Sequence, residues 1–535
     1  MVQAIPLLLA LTAHHFGAVD WTILAVYAGS LLAIGFYFSR QGQTAEEYFL
    51  GGRRTPPWLA GISLFTALTS IITYIGTPGE YIQYGPVLVF TANLIVLPFV
   101  QLIVGRLLIP HFMRLPITSA YELLEVRLGR AVRQAGSIGY IATRFVWMAL
   151  ILYTSSSVLV HVIGCDPRWS TLIVLVIAAV TTTYTLVGGL RTVMITEAVQ
   201  FFLLLTGAVL TIVSITVSLG GVGRWWPTHW EPTWPTQPFF RWDPHVRVTI
   251  VATFLFQLVG TVCSAGSDQA AIQRFLSTRD ARSARRAFWL NNLAVIGVVW
   301  VLGLVGMALL GFYRAHPEAV GPHLDLARDG DALFPLYISQ YLPVGISGLV
   351  VASLMAMAMS CLAAGISALI TIITKDFIEI GRDPKIGAGT DVAPANGWLA
   401  IGIGAVVVLG TFVVGSVRGD IYEVAGKTVT LLGAPLFGLF FLAMFVPSAT
   451  SFGAIMGAIY STVSAILVAY WDVLTGKPGF SFLWVGPVSL VVSLGASWLF
   501  SRLPTRGRTR GALAAWSGAV LAPLAAVVAW LLATA

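Results

Sequence analysis

Residues 57–82 read PWLAGISLFTALTSIITYIGTPGEYI. The run is long and apolar enough to cross a bilayer, which takes about 20 such residues in a helix. It is nevertheless unusual for an uninterrupted span. Thr66, Thr69, Ser70, Thr73, Gly76, Thr77, Pro78 and Gly79 place hydroxyls, glycines and a proline through its middle and second half. Hydrocarbon offers no water to a freed backbone group, so a break there is tolerated only where it is buried in protein or lines a cavity. A second stretch, 249–269, carries Gln257, Gly260, Thr261, Ser264, Gly266 and Ser267. Small residues also let helices approach closely in lipid. Two polar, glycine-punctuated runs in one apolar chain favour a different reading, backbone that lines a buried cavity, as in a secondary transporter.

The rest of the chain agrees with that environment. Of 535 residues, 57% are hydrophobic and only 10% are charged, far too few charges to cover a soluble surface of this size. Apolar runs separated by polar breaks predict an all-α polytopic membrane protein with about fourteen spans. They lie near 19–39, 57–82, 85–110, 132–163, 168–188, 192–219, 249–269, 287–313, 346–375, 396–416, 420–446, 450–471, 482–501 and 511–534. No room remains for a soluble catalytic domain. The eight histidines are scattered, without the clustered His, Asp or Glu that a membrane enzyme needs, so an enzyme is not expected. Nor do Cys165, Cys263 and Cys361 show ligand or disulfide spacing. The short apolar run Ile5–Leu11 reads as an exposed lead-in.

The net charge of +8 reflects basic loops on one side of the membrane rather than a nucleic-acid surface. With Asp20 outside, alternate loops gather about two thirds of the Lys and Arg residues, including Arg274, Arg279, Arg282, Arg285 and Arg286 in one connector read over 270–286. Both termini are therefore expected to face outward, in a multi-pass protein of the cell membrane. The longest polar stretch, 220–248, then lies outside. Its Trp225, Trp226, Trp230, Trp234 and Trp242 suit an interfacial anchor more than a substrate lid.

Several segments, in order, resemble the sodium:solute symporter family: TAEEYFLGGRRTPPWLAGISL (44–64), ITSAYELLEVRLG (117–129), YTLVGGLRTVMITEAVQ (184–200), GSDQAAIQRFLSTRDARSARRA (266–287), ISGLVVASLMAMAMSCLAAGISALITIITKDF (346–377), KTVTLLGAPLFGLFFLAMF (427–445) and GAIMG (453–457). The resemblance implies a LeuT-type core of two inverted five-helix repeats, 57–219 and 249–446. Around it lie an N-terminal segment with an extra helix (1–56), the outer loop 220–248 and accessory helices over 447–535.

It also implies a shared sodium site built from the carbonyls of Thr66 and Thr69, the carbonyl of Met357 and the side chains of Ser360 and Cys361. Sodium is a hard cation that prefers oxygen ligands. Ser360 matches the family pattern; Cys361 departs from it, because a thiol is soft. A second hydroxyl pair used by some members falls on Ala363 and Ala364, so at most one sodium per cycle is expected. Glu197 stands where the family usually has Asp. An ionisable group inside the membrane is a functional candidate by default, whether it steers sodium, titrates as a proton carrier, or simply reaches water at its helix end.

The substrate is less legible. Positions that hold sugar hydroxyls in one branch fall on Thr73, Ala92, Thr261 and Ser264, which suits a hexose poorly. Ser70 and Gln257 share those two interrupted helices. Carboxylate-transporting members place an Arg at the position of Trp147. Arg144 lies one turn earlier on the same face, within reach of a carboxylate; alternatively it snorkels to the inner interface or pairs with Glu197. The expected function is symport of a small organic solute, a carboxylate or amino acid, with Na+ or, alternatively, H+, and no other cofactor. An uncoupled facilitator and a transporter-like sensor are the competing readings.

Overall fold

The computed structural model describes residues 16–534 apart from 41–43, 86, 233, 235–241, 247–248, 321–323, 327, 380–391, 415–420 and 505–509. Among them there is no strand. The helices are α1 (Ala18–Ser39), α2 (Ala45–Leu50), α3 (Pro57–Leu68), α4 (Ile71–Tyr84), α5 (Val87–Ile103), α6 (Glu122–Leu128), α7 (Arg130–Ile163), α8 (Ser170–Leu219) and α9 (Ile250–Ser267). They continue with α10 (Gln269–Leu276), α11 (Ala281–Ala315), α12 (Gly330–Gln340), α13 (Ile346–Ile373), α14 (Val392–Val414), α15 (Ile421–Phe445), α16 (Ser451–Ala469), α17 (Val485–Ser501) and α18 (Arg510–Thr534). Ten helical stretches among the described residues are long and apolar enough to cross a bilayer, and eleven with the bent pair α3 and α4.

One of the ten, Pro167–Leu219, has 53 residues. As a straight rod it would extend about 80 Å, against a hydrocarbon core of about 30 Å. It is in fact a hairpin. Gly189 has φ 60° and ψ −168°, a conformation essentially confined to glycine, and it divides α8 into two arms. The Tyr184 hydroxyl, on the first arm, donates to the Met359 carbonyl at 3.3 Å. Gln200, on the second, donates to the Tyr27 hydroxyl at 3.1 Å, and that hydroxyl lies 3.8 Å from the Met359 sulfur. Residues 184 and 200 would stand about 24 Å apart on a continuous helix, so their meeting at Met359 requires the chain to double back.

Core α13 is buried along almost its whole length and packs against α8, α7 and α1. A second body is formed by α11 against α3 and α4, with α12 laid over α4. The contact there is tight because glycine makes it so. A Cβ on Gly306 would stand 2.6 Å from the Pro78 carbonyl, and one on Gly303 2.5 Å from the Tyr81 ring. Helices α16 and α17 pair with each other and lean on α15.

The extra helix α1 is fastened by one carboxylate. Asp20 is fully buried and accepts from the backbone N–H of Gly345 at 2.7 Å, of Gly348 at 2.8 Å and from the Ser347 hydroxyl at 2.9 Å. These are the orphan donors at the N-terminus of α13, where a negative charge is also favoured by the helix dipole.

Two expectations are corrected. The connector 270–286 is not all loop. Asp268 breaks the helix after Ser267, and α10, beginning at Gln269, is buried at every one of its 8 residues, Arg274 included. The chain leaves the core only near Arg279. Asp280 then caps α11 by accepting from the Ser283 N–H at 2.8 Å, a bond that holds its carboxyl down to about 2. The tryptophan loop also divides in two. Trp226, Trp230 and Trp242 are exposed, but Trp225 and Trp234 are buried in protein. Trp234 donates to the Ile82 carbonyl at 2.9 Å and sits over Gly85 at the end of α4.

Candidate functional site

Helix α3 ends at Leu68 and α4 starts at Ile71, bent by 73°. Thr69 and Ser70 between them are extended. The last four carbonyls of a helix have no partner within it, so the end of α3 presents oxygens with partial negative charge to the interior. Core α13 crosses there. The Ser360 hydroxyl lies 3.3 Å from the Thr66 carbonyl and 3.1 Å from the Met357 carbonyl, and all three residues are buried. The Thr66 hydroxyl is committed to the carbonyls of Ile62 and Ser63, each at 3.1 Å, which leaves its own carbonyl to face Ser360. Two carbonyls and one hydroxyl thus converge from two helices, a donor set that suits a hard monovalent cation. Cys361 is buried on the next residue. Thr69 lies at the break, lining a cavity.

One turn from Thr66, Ser63 leads to a buried cluster. Glu197 is fully buried and receives the Arg274 guanidinium at 2.6 Å, both side chains being 0% exposed. The Ser63 hydroxyl donates to Glu197 as well and accepts from Arg274 Nε at 2.7 Å. Glu197 therefore does not reach water, and its partner is Arg274 rather than Arg144. Nothing in a basic run such as RFLSTRDARSARR separates the buried Arg274 from its exposed neighbours. The signal that does is the capping aspartate at 268 followed by the apolar AAIQRFL.

Between α3, α7, α9 and α15 lies a cavity of about 140 Å³, lined by Leu68, Arg144, Trp147, Cys263, Ser264 and Asp268 among others. A second, of about 290 Å³, runs between α3, α5, α9 and α11, and has Thr69, Gln257, Thr261, Ser264, Asn291 and Asn292 in its wall. The two meet at Leu68, Gly260 and Ser264. Of the solute-contact candidates, the structure places Arg144, Trp147 and Ser264 on the first cavity and Gln257, Thr261 and Ser264 on the second. Ser70 is buried at the start of α4, and neither it nor Thr73 lines either cavity. Asn291 and Asn292, hydrogen-bonded to each other at 3.2 Å, were not anticipated from sequence.

Arg144 connects this space with the oxygens gathered around Ser360. It is 4% exposed. Its Nη2 points to the Cys361 carbonyl at 3.4 Å, its Nη1 to Asp268 at 3.5 Å, and its Nε finds no acceptor among the described residues. The contact with α13 is close because residue 365 is glycine, where a Cβ would stand 3.0 Å from Arg144 Nε.

A model of the sodium:solute symporter family matches residues 48–461. The sodium/sialic acid symporter NanT of Aliivibrio fischeri is 28% identical over 466 residues, covering 85% of this chain and 88% of its own length. Sodium-coupled monocarboxylate transporter 1 of Mus musculus is 27% identical over 450 residues, covering 81% of this chain and 70% of its own. Among solved structures, a Na+-coupled sialic acid symporter in a substrate-bound outward-open state superposes with a TM-score of 0.77 at 26% identity, covering 92% of this chain and 98% of that one.

Proposed function

Because the chain belongs to the sodium:solute symporter family, we propose that it is a sodium-coupled symporter of a small organic carboxylate, working by alternating access. It is a transporter of the membrane, not an enzyme. One observation carries the reading. Arg144 reaches the Cys361 carbonyl, beside the oxygens of Thr66, Met357 and Ser360, and also lines the adjoining cavity. A single cation thus spans the ion site and the solute site, which is what coupling between them requires. The relatives named for sialic acid and for monocarboxylates are both named for acids, in keeping with an Arg in the cavity.

On this reading sodium binds to the carbonyls of Thr66, Thr69 and Met357 and the hydroxyl of Ser360, with Cys361 contributing little. One sodium moves per cycle. The core consists of two inverted repeats over 57–219 and 249–446 within about fourteen spans, and both termini face outward. Labelling of intact cells is expected to reach a cysteine placed at Thr233 and to miss one placed at Ser283; the reverse pattern overturns the orientation.

Proton coupling through Glu197 is the alternative, and it requires the pair with Arg274, held at 2.6 Å with both side chains 0% exposed, to open before the carboxyl can exchange a proton with water. Uptake into proteoliposomes under separately imposed sodium and pH gradients distinguishes the readings. Sodium alone is expected to drive accumulation; a response to pH alone, lost in Glu197→Gln, establishes the proton carrier, and indifference to both marks a facilitator. In the same assay Arg144→Gln is expected to reduce uptake of a carboxylate at least tenfold, and to change uptake of a neutral isostere by less than twofold. Equal losses for the two would assign Arg144 a purely structural part.

A further inference from the structure

Among the described residues three buried arginines each meet a carboxylate, and the contacts are not alike. Arg274 meets Glu197 at 2.6 Å. Arg133 meets Asp376 through two nitrogens, at 2.6 and 3.0 Å. Arg144 and Asp268 stand 3.5 Å apart at a single contact, and theirs is the pair that lines a cavity. Buried ions persist when well paired and fully hydrogen-bonded, so a pair held this loosely has bonding capacity left over. On the arginine that capacity lies at the two terminal nitrogens, held only by long contacts, Nη2 at 3.4 Å from the Cys361 carbonyl and Nη1 at 3.5 Å from Asp268, whereas Nε faces Gly365 of α13. On the aspartate it is one oxygen: Oδ1 is taken by the Ala270 N–H at 2.7 Å and the Tyr140 hydroxyl at 3.0 Å, whereas Oδ2 has only the long contact to Arg144.

The charges decide what fits between them. A plain carboxylate that docks on Arg144 comes to lie a few ångströms from Asp268 and is repelled by it. A solute carrying an ammonium on the same end turns that repulsion into a second attraction, since the ammonium finds Asp268 Oδ2 while the carboxylate takes the guanidinium fork. Leu68, Val259, Cys263 and Leu436 leave an apolar remainder for the solute's body. The cavity, at about 140 Å³, is roughly tenfold what one water needs.

We infer that Arg144 and Asp268 are the two poles of a receptor for a zwitterion, so that the solute is an amino acid or related ammonium carboxylate with an apolar side chain. This rests on the carboxylate-symport reading and narrows it. Asp268 sets the preference because it stands at the helix break, where solute and α10 share one carboxylate.

Thermal unfolding of the purified full-length protein, in sodium and in choline, titrated with matched triads, tests the inference. Each triad contains an amino acid, its deamino acid and its decarboxylated amine, such as leucine, 4-methylpentanoate and 3-methylbutylamine, extended across the apolar amino acids. At least one amino acid is expected to give sodium-dependent stabilisation at a concentration tenfold or more below that needed by either counterpart. Asp268→Asn retains an oxygen for the cap on Ala270, and is expected to cut the preference over the deamino acid to threefold or less while strengthening the deamino acid itself. Deamino acids that match or surpass the amino acids on the wild type overturn the zwitterion and leave the carboxylate reading standing. Equal weakening of all three by Asp268→Asn also overturns it, because that is the behaviour of a structural pair. An absence of sodium-dependent stabilisation by every acid and amino acid overturns both readings.

Discussion

Ser360→Ala is expected to abolish sodium stimulation of uptake while leaving the protein folded and inserted. The Ser360 hydroxyl is the side-chain oxygen found between the carbonyls of Thr66 and Met357, and its removal leaves only the backbone carbonyls of Thr66, Thr69 and Met357, which cannot replace the hydration shell of a cation on their own. Cys361→Ser is expected to act in the opposite direction. A hard oxygen beside Ser360 completes a hydroxyl pair, and the sodium concentration for half-maximal uptake is expected to fall three- to tenfold, where tenfold corresponds to about 1.4 kcal/mol. The pair of variants is read by sodium titration of uptake in proteoliposomes. Gain in the second variant is the more demanding result, because misfolding cannot imitate it. If Cys361→Ser leaves the sodium dependence unchanged, the cation does not bind beside residue 361.

The largest effect on stability is expected at Glu197. Glu197→Gln leaves Arg274 as an uncompensated charge with 0% exposure and takes an acceptor from Ser63. Breaking a buried pair on one side costs about 3–5 kcal/mol. Replacing both partners by apolar residues of similar length, as in Glu197→Leu with Arg274→Met, removes the charges together and is expected to restore most of the lost stability. The temperature at which half the protein leaves the monodisperse peak after heating in detergent measures both. A single variant as stable as wild type would show that the pair is not closed in the membrane.

The features that could be read from sequence are those whose cause is local. The broken helix was legible in the hydroxyls Thr66, Thr69 and Ser70 within one apolar run, whereas Gly76, Pro78 and Gly79 lie inside the unbroken α4, and Pro78 and Gly79 serve its packing. The two arms of α8 were legible as separate apolar runs, 168–188 and 192–219. Ser360 was singled out by a family pattern of adjacent residues, and its hydroxyl does stand between the carbonyls of Thr66 and Met357. What failed depends on partners remote in the chain. Arg144 and Asp268 are 124 residues apart, and Glu197 and Arg274 are 77 apart. A charge looks the same in sequence whether it ends in a loop or in the core. Positive residues were therefore assigned to loops by rule, and Arg274 was misplaced with them. The tryptophan loop was misread for a related reason, since indole suits both a lipid interface and a buried packing position, and only the neighbouring Gly85 and Gly311 reveal which ones turn inward.

Asp20 bears on the order in which the protein is made. Its carboxylate is satisfied by residues 325 to 328 positions further on. At about 5–20 residues per second, the ribosome needs roughly 15–65 s to synthesise them. Through that interval the α1 carboxylate has only the local Gly17 N–H as a donor, which favours keeping its first turn at the headgroup level, where water can reach it. Seating against α8 and α13 comes afterwards. Helix α1 is thereby among the last of the described helices to be secured, and a nascent chain stalled before residue 345 is expected to leave α1 more accessible to protease than it is in the finished protein.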